Sequence, residues 1–151
     1  MDVRDLMENK GCLEQRGTIT MANTDLYAEY LRSEGYRPEV ADDLVWFKHE
    51  GGNFAICIDD DDPEYFQLTY PNFWKIESEA ERQAAIRSAD DVTRRCKVAK
   101  VYVRTDGENV FADVEEFLGR REDFQAIFPR AVSALHLATR LFVEDMKKWR
   151  T

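Results

Sequence analysis

The segment that decides the fold is VWFKHEGGNFAICIDDDDPEYFQLTYPNFW, residues 45–74. Two apolar runs flank Gly51 and Gly52, a pattern typical of a β-hairpin with a tight glycine turn. If residue 50 opposes residue 53, one face carries Val45, Phe47, Phe54, Ile56 and Ile58, and the other carries Trp46, Lys48, Ala55 and Cys57. Residues 65–70 alternate in the same way, so we expect a third strand of one antiparallel meander, which Pro71 ends.

Helices are expected before and after this meander. Apolar residues at helical spacing follow Asn23 and Thr24, either of which can cap a first helix that ends at Gly35. Ser78 and Glu81 have the spacing of a capping box, and small residues then recur at helical spacing. This pattern predicts a second helix over about residues 79–96.

A second hairpin and a long helix complete the chain. The Asp106-Gly107 pair joins two apolar runs and predicts two further strands. A wide apolar stripe predicts a last helix, which Pro129 either begins or kinks. The sequence therefore predicts a flexible leader at residues 1–22, with Met21 as a candidate natural start, and a single α+β domain at residues 23–151. Its expected order is α-β-β-β-α-β-β-α, with an antiparallel sheet.

Composition narrows the class of protein. The chain has 151 residues, of which 44% are hydrophobic, enough for one core. Its net charge of -9 repels nucleic-acid phosphates and anionic lipid, so we expect neither a nucleic-acid nor a membrane partner. The opening residues carry scattered charges and no apolar block, which favours a cytoplasmic protein. Cys12, Cys57 and Cys96 lack metal-site spacing and are expected to be free thiols.

Motifs for catalysis and metal binding are weak. The acidic run Asp59–Asp62 lacks the alternation and the glycine of a calcium loop, and it is more typical of a solvated connector. A small metal-dependent enzyme using this run and Glu64 remains an alternative. His49 and Cys57 fall on opposite faces of the expected hairpin, which excludes a Cys–His nucleophilic pair, and His136 is expected to be structural. The sequence therefore predicts a protein without catalytic residues, cofactor or metal.

Aromatic residues are concentrated at the end of the meander. Helices on one side of a sheet cannot bury all of them, so they pack in the core or form a surface for another chain. A stripe of small residues on the second helix also permits close packing. The predicted partner-binding or dimer-binding residues are Tyr65, Tyr70, Phe73, Trp74, Ala85, Ala89 and Val92.

Three stretches of the chain resemble one family. They are YLRSEGYRPE at residues 30–39, the segment at residues 45–74, and KVYVRTDGENVFADVEEFL at residues 100–118. With the order of elements, they resemble the YbjN-like family, described as bacterial sensory-transduction regulators, over about residues 24–146. The fold of that family is similar to the class I type III secretion chaperones. The resemblance implies a non-enzymatic protein-binding domain, frequently a homodimer; a dedicated chaperone of a secreted effector is the alternative.

Overall fold

The computed structural model describes residues 21–151, so Cys12 and most of the expected leader lie outside the described residues. The helices are α1 (Asn23–Ser33), α2 (Glu79–Arg95) and α3 (Phe124–Arg150), and a short 3-10 segment, Arg121–Asp123, directly precedes α3. The strands are β1 (Glu39–Ala41), β2 (Leu44–His49), β3 (Gly52–Cys57), β4 (Tyr65–Lys75), β5 (Ala99–Val103) and β6 (Asn109–Phe117). The predicted α+β class and order of elements are confirmed, and the short strand β1 is an addition.

The six strands form one antiparallel sheet in the order β1-β2-β3-β4-β6-β5. Alternate residues of the central strands point into a single core, which also contains apolar residues of all three helices. The largest fully buried side chains of this core are Phe54, Phe66, Phe124 and Phe142. The opposite side of the sheet, here called the open face, carries no helix among the described residues.

The first hairpin has the predicted faces but a different register. Residue 53 pairs with Lys48 rather than with Glu50, and the turn consists of Glu50 and Gly51, with φ of +47° and +81°. Positive φ at both central residues is typical of the tight hairpin turn that matches strand twist. The faces are nevertheless as predicted, because a register shift of two residues preserves the alternation of side chains.

Pro71 does not end the third predicted strand. Strand β4 continues through Pro71 to Lys75 and pairs with β6, with a register shift between Tyr70 and Trp74. Asn72 has a φ of +53° at this irregularity. A bulge is one of the few places where a sheet tolerates a proline, since the local ladder is already interrupted.

The helix ends are partly as predicted. Ser78 Oγ accepts a hydrogen bond from Glu81 N at 3.1 Å, which confirms the cap of α2. Helix α1 lacks the predicted cap: Asn23 lies inside it, and its side-chain oxygen accepts a hydrogen bond from Arg121.

Pro129 lies within α3 rather than at its start. It cannot donate to the carbonyl of Gln125 four residues earlier, and the Tyr30 hydroxyl donates to that oxygen instead, at 3.4 Å. By length and composition alone, residues 121–150 could cross a membrane, a test that core helices also pass. Here the apolar stripe of α3 packs against the sheet, with Leu135 fully buried.

Candidate functional site

The predicted association residues occupy three different environments. Tyr65 lies on the open face, because it neighbours the core-facing Phe66 in β4. Tyr70, Phe73 and Trp74 are partly buried and pack against the core. Ala85, Ala89 and Val92 are core residues. These seven residues therefore do not form one surface.

Ala85, Ala89 and Val92 require a correction. They are 0%, 4% and 0% exposed, so the folded chain does not present them to a partner. The small side chains allow α2 to approach its own neighbours β5 and α3 closely. The close packing that this stripe permits is therefore within one chain.

Trp74 is held by contacts within the chain. Its Nε1 donates a hydrogen bond to Glu81 Oε1 at 3.1 Å, and the guanidinium carbon of Arg150 lies 4.4 Å from the ring centroid. Phe142 meets the ring edge-on, with centroids 6.1 Å apart. Trp74 thus joins β4 to the start of α2 and the end of α3.

Glu81 is the centre of this junction and is only 3% exposed. Its carboxylate accepts hydrogen bonds from the backbone of Glu77 at 2.9 Å, from Trp74 and from Arg150. Burial by itself would raise the pKa of Glu81, but these hydrogen bonds and the charge of Arg150 hold it below its usual range. The carboxylate is therefore a structural group.

The open face carries aromatic pairs at two positions. Tyr65 and Phe117 oppose each other across β4 and β6, with ring centroids 6.0 Å apart, and Phe117 is 84% exposed. Tyr102 and Phe111 oppose each other across β5 and β6 at 6.1 Å. The guanidinium carbon of Arg104 lies 4.6 Å from the Phe111 centroid.

A smaller apolar cluster lies toward the other edge of the same face. It consists of Leu44, Ala55 and Cys57, with Trp46 packed against them. Leu44, Ala55 and Cys57 are buried, as is Phe111, whereas Phe117 is exposed and Trp46, Tyr65 and Tyr102 are partly exposed. Exposed aromatic rings on a sheet face that no helix covers are typical of protein-binding surfaces.

Asp113 lies at the midpoint of β6, next to the edge strand β5 on the open face, and is 1% exposed. The Tyr102 hydroxyl donates to its Oδ2 at 2.8 Å, whereas Oδ1 has no hydrogen-bond partner among the described residues. Burial raises the pKa of Asp113 above its usual range, although Thr69, Tyr102 and Lys100 act in the opposite direction. A buried carboxyl oxygen without a hydrogen bond is uncommon in folded proteins.

Sequence reasoning missed a second group of residues. The two histidines of the chain, 87 positions apart, meet beside the first hairpin turn, with His49 and His136 ring centroids 6.2 Å apart. Glu50 Oε2 lies 3.3 Å from His136 Nε2, and the Tyr36 hydroxyl lies 2.9 Å from His49 Nδ1. Only the packing of α3 on the hairpin brings them together, so no local pattern could have indicated the pair.

The pocket at these histidines has a volume of about 360 Å³. Tyr70 and Phe73, two of the predicted association residues, line it together with Arg140. Cys57 lies on the opposite face of the sheet, as predicted, so no Cys–His pair forms here. The pocket thus combines two imidazoles with the aromatic walls of Tyr70 and Phe73.

The acidic run forms the connection between β3 and β4. Asp61 N donates to Asp59 Oδ1 at 3.2 Å, a contact local to the turn. Within residues 21–151, no group of three His, Cys, Asp or Glu side chains is arranged to hold a metal ion. The geometry of this run therefore offers no support for the metal-dependent alternative.

Comparison with known proteins supports the fold alone. No protein-family model matches this chain, and no functionally curated protein matches it. The structure is similar to the crystal structure of an uncharacterized protein from Methanothermobacter thermautotrophicus, with a TM-score of 0.60 and 10% sequence identity. The match covers 84% of this chain and 98% of the archaeal chain. This chain therefore shares an α+β fold with that protein, and at such low identity the likeness extends to the fold only.

Proposed function

We propose that this chain is a non-enzymatic protein-binding domain of the YbjN-like kind, that it forms a homodimer, and that it holds a segment of another protein against the open face of its sheet. The observation that carries the proposal is the exposure of Phe117, 84% of whose surface faces solvent next to Tyr65. Burying an exposed aromatic ring at an interface is especially favourable, because the ring removes a large apolar area from water and has few rotamers to immobilise on binding.

The three stretches that resemble the YbjN-like family contain the strands β2 to β6 almost completely. The resemblance and the aromatic surface therefore concern the same part of the chain. A binding domain of this kind needs exposed apolar anchors, and the open face offers the exposed ring of Phe117 beside the partly exposed Tyr65 of β4 and, two strands farther along the sheet, the partly exposed Trp46 of β2.

Replacing Phe117 with Ser tests the proposal. Because the side chain is exposed, the variant should melt within about 2 °C of the wild type, since surface substitutions change stability by about 0.5 kcal/mol or less. We expect light scattering to give twice the chain mass of 17.7 kDa for the wild type. Immobilised Phe117→Ser protein should retain less of the proteins that the wild type captures from a lysate.

Ile86→Ser is the matched control, since Ile86 is an exposed apolar residue of α2 away from the open face. It should capture as much as the wild type. Equal capture by the wild type and Phe117→Ser would show that the open face is not the binding surface, and a monomer at all concentrations would remove the homodimer.

A further inference from the structure

A groove with an apolar floor and basic rims runs along α3. It lies between α3 and the turn that joins α2 to β5, and its volume is about 580 Å³. Ile127, Ala134 and Leu137 of α3 line one side, and Val98 of the turn lines the other. Leu137 and Val98 are 41% and 55% exposed, so the apolar surface is open to solvent.

Cations stand on both sides of this groove. Arg95 and Lys97 lie on the turn side and Arg130 on the α3 side, whereas Glu116 is the one carboxylate in the lining. Arg95 is 2.9 Å from Asp91, but Lys97 and Arg130 form no ion pair within residues 21–151. In a chain with a net charge of -9, a groove with this balance attracts an acidic partner rather than a basic one.

The dimensions of the groove suit a helix. The α3 wall from Ile127 to Leu137 spans ten residue steps, about 15 Å or nearly three helical turns. The neighbouring edge strand β5 is not open for pairing, because Thr93 Oγ1 accepts from Val101 N at 2.8 Å and donates to Val101 O at 3.2 Å. An added strand would have to displace Thr93, whereas a helix packs into the groove without using these backbone groups.

We propose that this groove binds an acidic amphipathic helix of another protein, with the apolar stripe of the helix on Leu137 and Val98 and its flanking carboxylates beside Lys97 and Arg130. The groove lies in the helix layer, on the opposite side of the sheet from the open face. Its use therefore does not depend on the function proposed for that face.

Two synthetic helices test the charge requirement on the full chain. One is a fluorescently labelled 14-residue peptide with a leucine stripe flanked by glutamates, and the other has lysines in place of the glutamates. Fluorescence anisotropy should show at least about tenfold tighter binding of the acidic helix, and this preference should shrink at high salt because the rims are exposed.

Variants of the groove test the location. Lys97→Glu combined with Arg130→Glu should weaken the acidic helix at least about tenfold, whereas Arg87→Glu, on the exposed surface of α2 outside the groove, should change its Kd less than about twofold. Leu137→Gln should also weaken binding, and Ile86→Gln is its control, since the two side chains are 41% and 43% exposed. Circular dichroism melts confirm that each variant is folded.

Equal binding of the acidic and basic helices would overturn the proposal, as would an acidic helix that binds the groove variants as tightly as the wild type. If the wild type ignores both peptides and sediments as a dimer that Arg130→Glu dissociates, the occupant of the groove is a second copy and the proposal is wrong. Phe117→Ser should leave peptide binding unchanged, so a failure of the groove is distinguishable from a failure of the open face.

Discussion

Trp74 decides between a surface role and a structural role for the aromatic segment. Its contacts with Glu81, Arg150 and Phe142 predict that Trp74→Ala destabilises the folded chain instead of merely weakening association. The change removes an indole donor, a ring under a guanidinium and an edge-on aromatic contact.

The magnitude follows from these contacts. A hydrogen bond to a charged acceptor contributes about 1.5–3 kcal/mol. The Arg150 contact adds about 0.5–1 kcal/mol at a partly exposed ring, and the Phe142 pair about 0.5–1.5 kcal/mol. Since contributions of neighbouring groups are not fully additive, we expect Trp74→Ala to lower the free energy of unfolding by about 3 kcal/mol.

Trp74→Phe is the matched variant, because it keeps a ring against Phe142 and removes only the donor to Glu81. Trp74→Phe should lower the free energy of unfolding by about 1.5 kcal/mol, measured by urea unfolding at pH 7 with detection by far-ultraviolet circular dichroism. The lowered pKa of Glu81 means that its contribution is present above its unfolded pKa and is lost as the pH falls through the folded pKa. The difference between the wild type and Trp74→Phe should therefore shrink in acid.

A change below about 0.5 kcal/mol for Trp74→Ala, together with weaker self-association, would refute this reasoning. Trp74 would then be a partner-binding residue, as the sequence alone suggested. Equal losses for Trp74→Ala and Trp74→Phe would instead assign the whole effect to the Glu81 hydrogen bond.

Three further predictions concern buried or strained positions. Burial raises the pKa of Asp113, so the free energy of unfolding falls as the pH rises from the unfolded pKa of this carboxyl through its folded pKa. Asp113→Asn should therefore flatten the decline in unfolding free energy that urea titrations measure above about pH 4. Gly52→Ala should lower the free energy of unfolding, measured in urea, by about 1–3 kcal/mol, since a Cβ there would lie 2.8 Å from the Tyr70 hydroxyl oxygen. Unchanged stability would show that the Tyr70 ring moves freely. Val98 has a φ of +56°, unfavourable for a β-branched residue, so Val98→Asn should raise the unfolding free energy by about 1 kcal/mol, and a decrease would argue against strain at this turn.

Local patterns predicted the elements that depend on local physics. Ser78 caps α2 because its hydroxyl meets a helix amide three residues later, and the Asp106 carboxylate accepts from two following amides in the second hairpin turn. The faces of the first hairpin were also predictable, since alternation has a period of two and survived the error in register. The extent of β4 was not predictable from Pro71, because a partner strand and a bulge decide whether a proline is tolerated.

The candidate surfaces were harder to assign than the elements. Tyr65 was predicted as an association residue and lies on the open face, but the exposed ring next to it, Phe117, was missed. Phe117 ends the second hairpin, 52 positions after Tyr65 in the chain, and the two rings become neighbours only through the pairing of β4 with β6. His49 and His136 meet for a similar reason, through the packing of α3 on the hairpin.

By itself the sequence determined the class of fold, the order of its elements and which residues share a face, because turn chemistry, capping and side-chain periodicity act within a few residues. Only the tertiary structure decided what covers each face. Helix α2 buries Ala85, Ala89 and Val92 against the chain's own strand and helix, while Phe117 stays in solvent. Periodicity indicates that an apolar stripe must be covered, but long-range packing decides whether the same chain or another chain covers it.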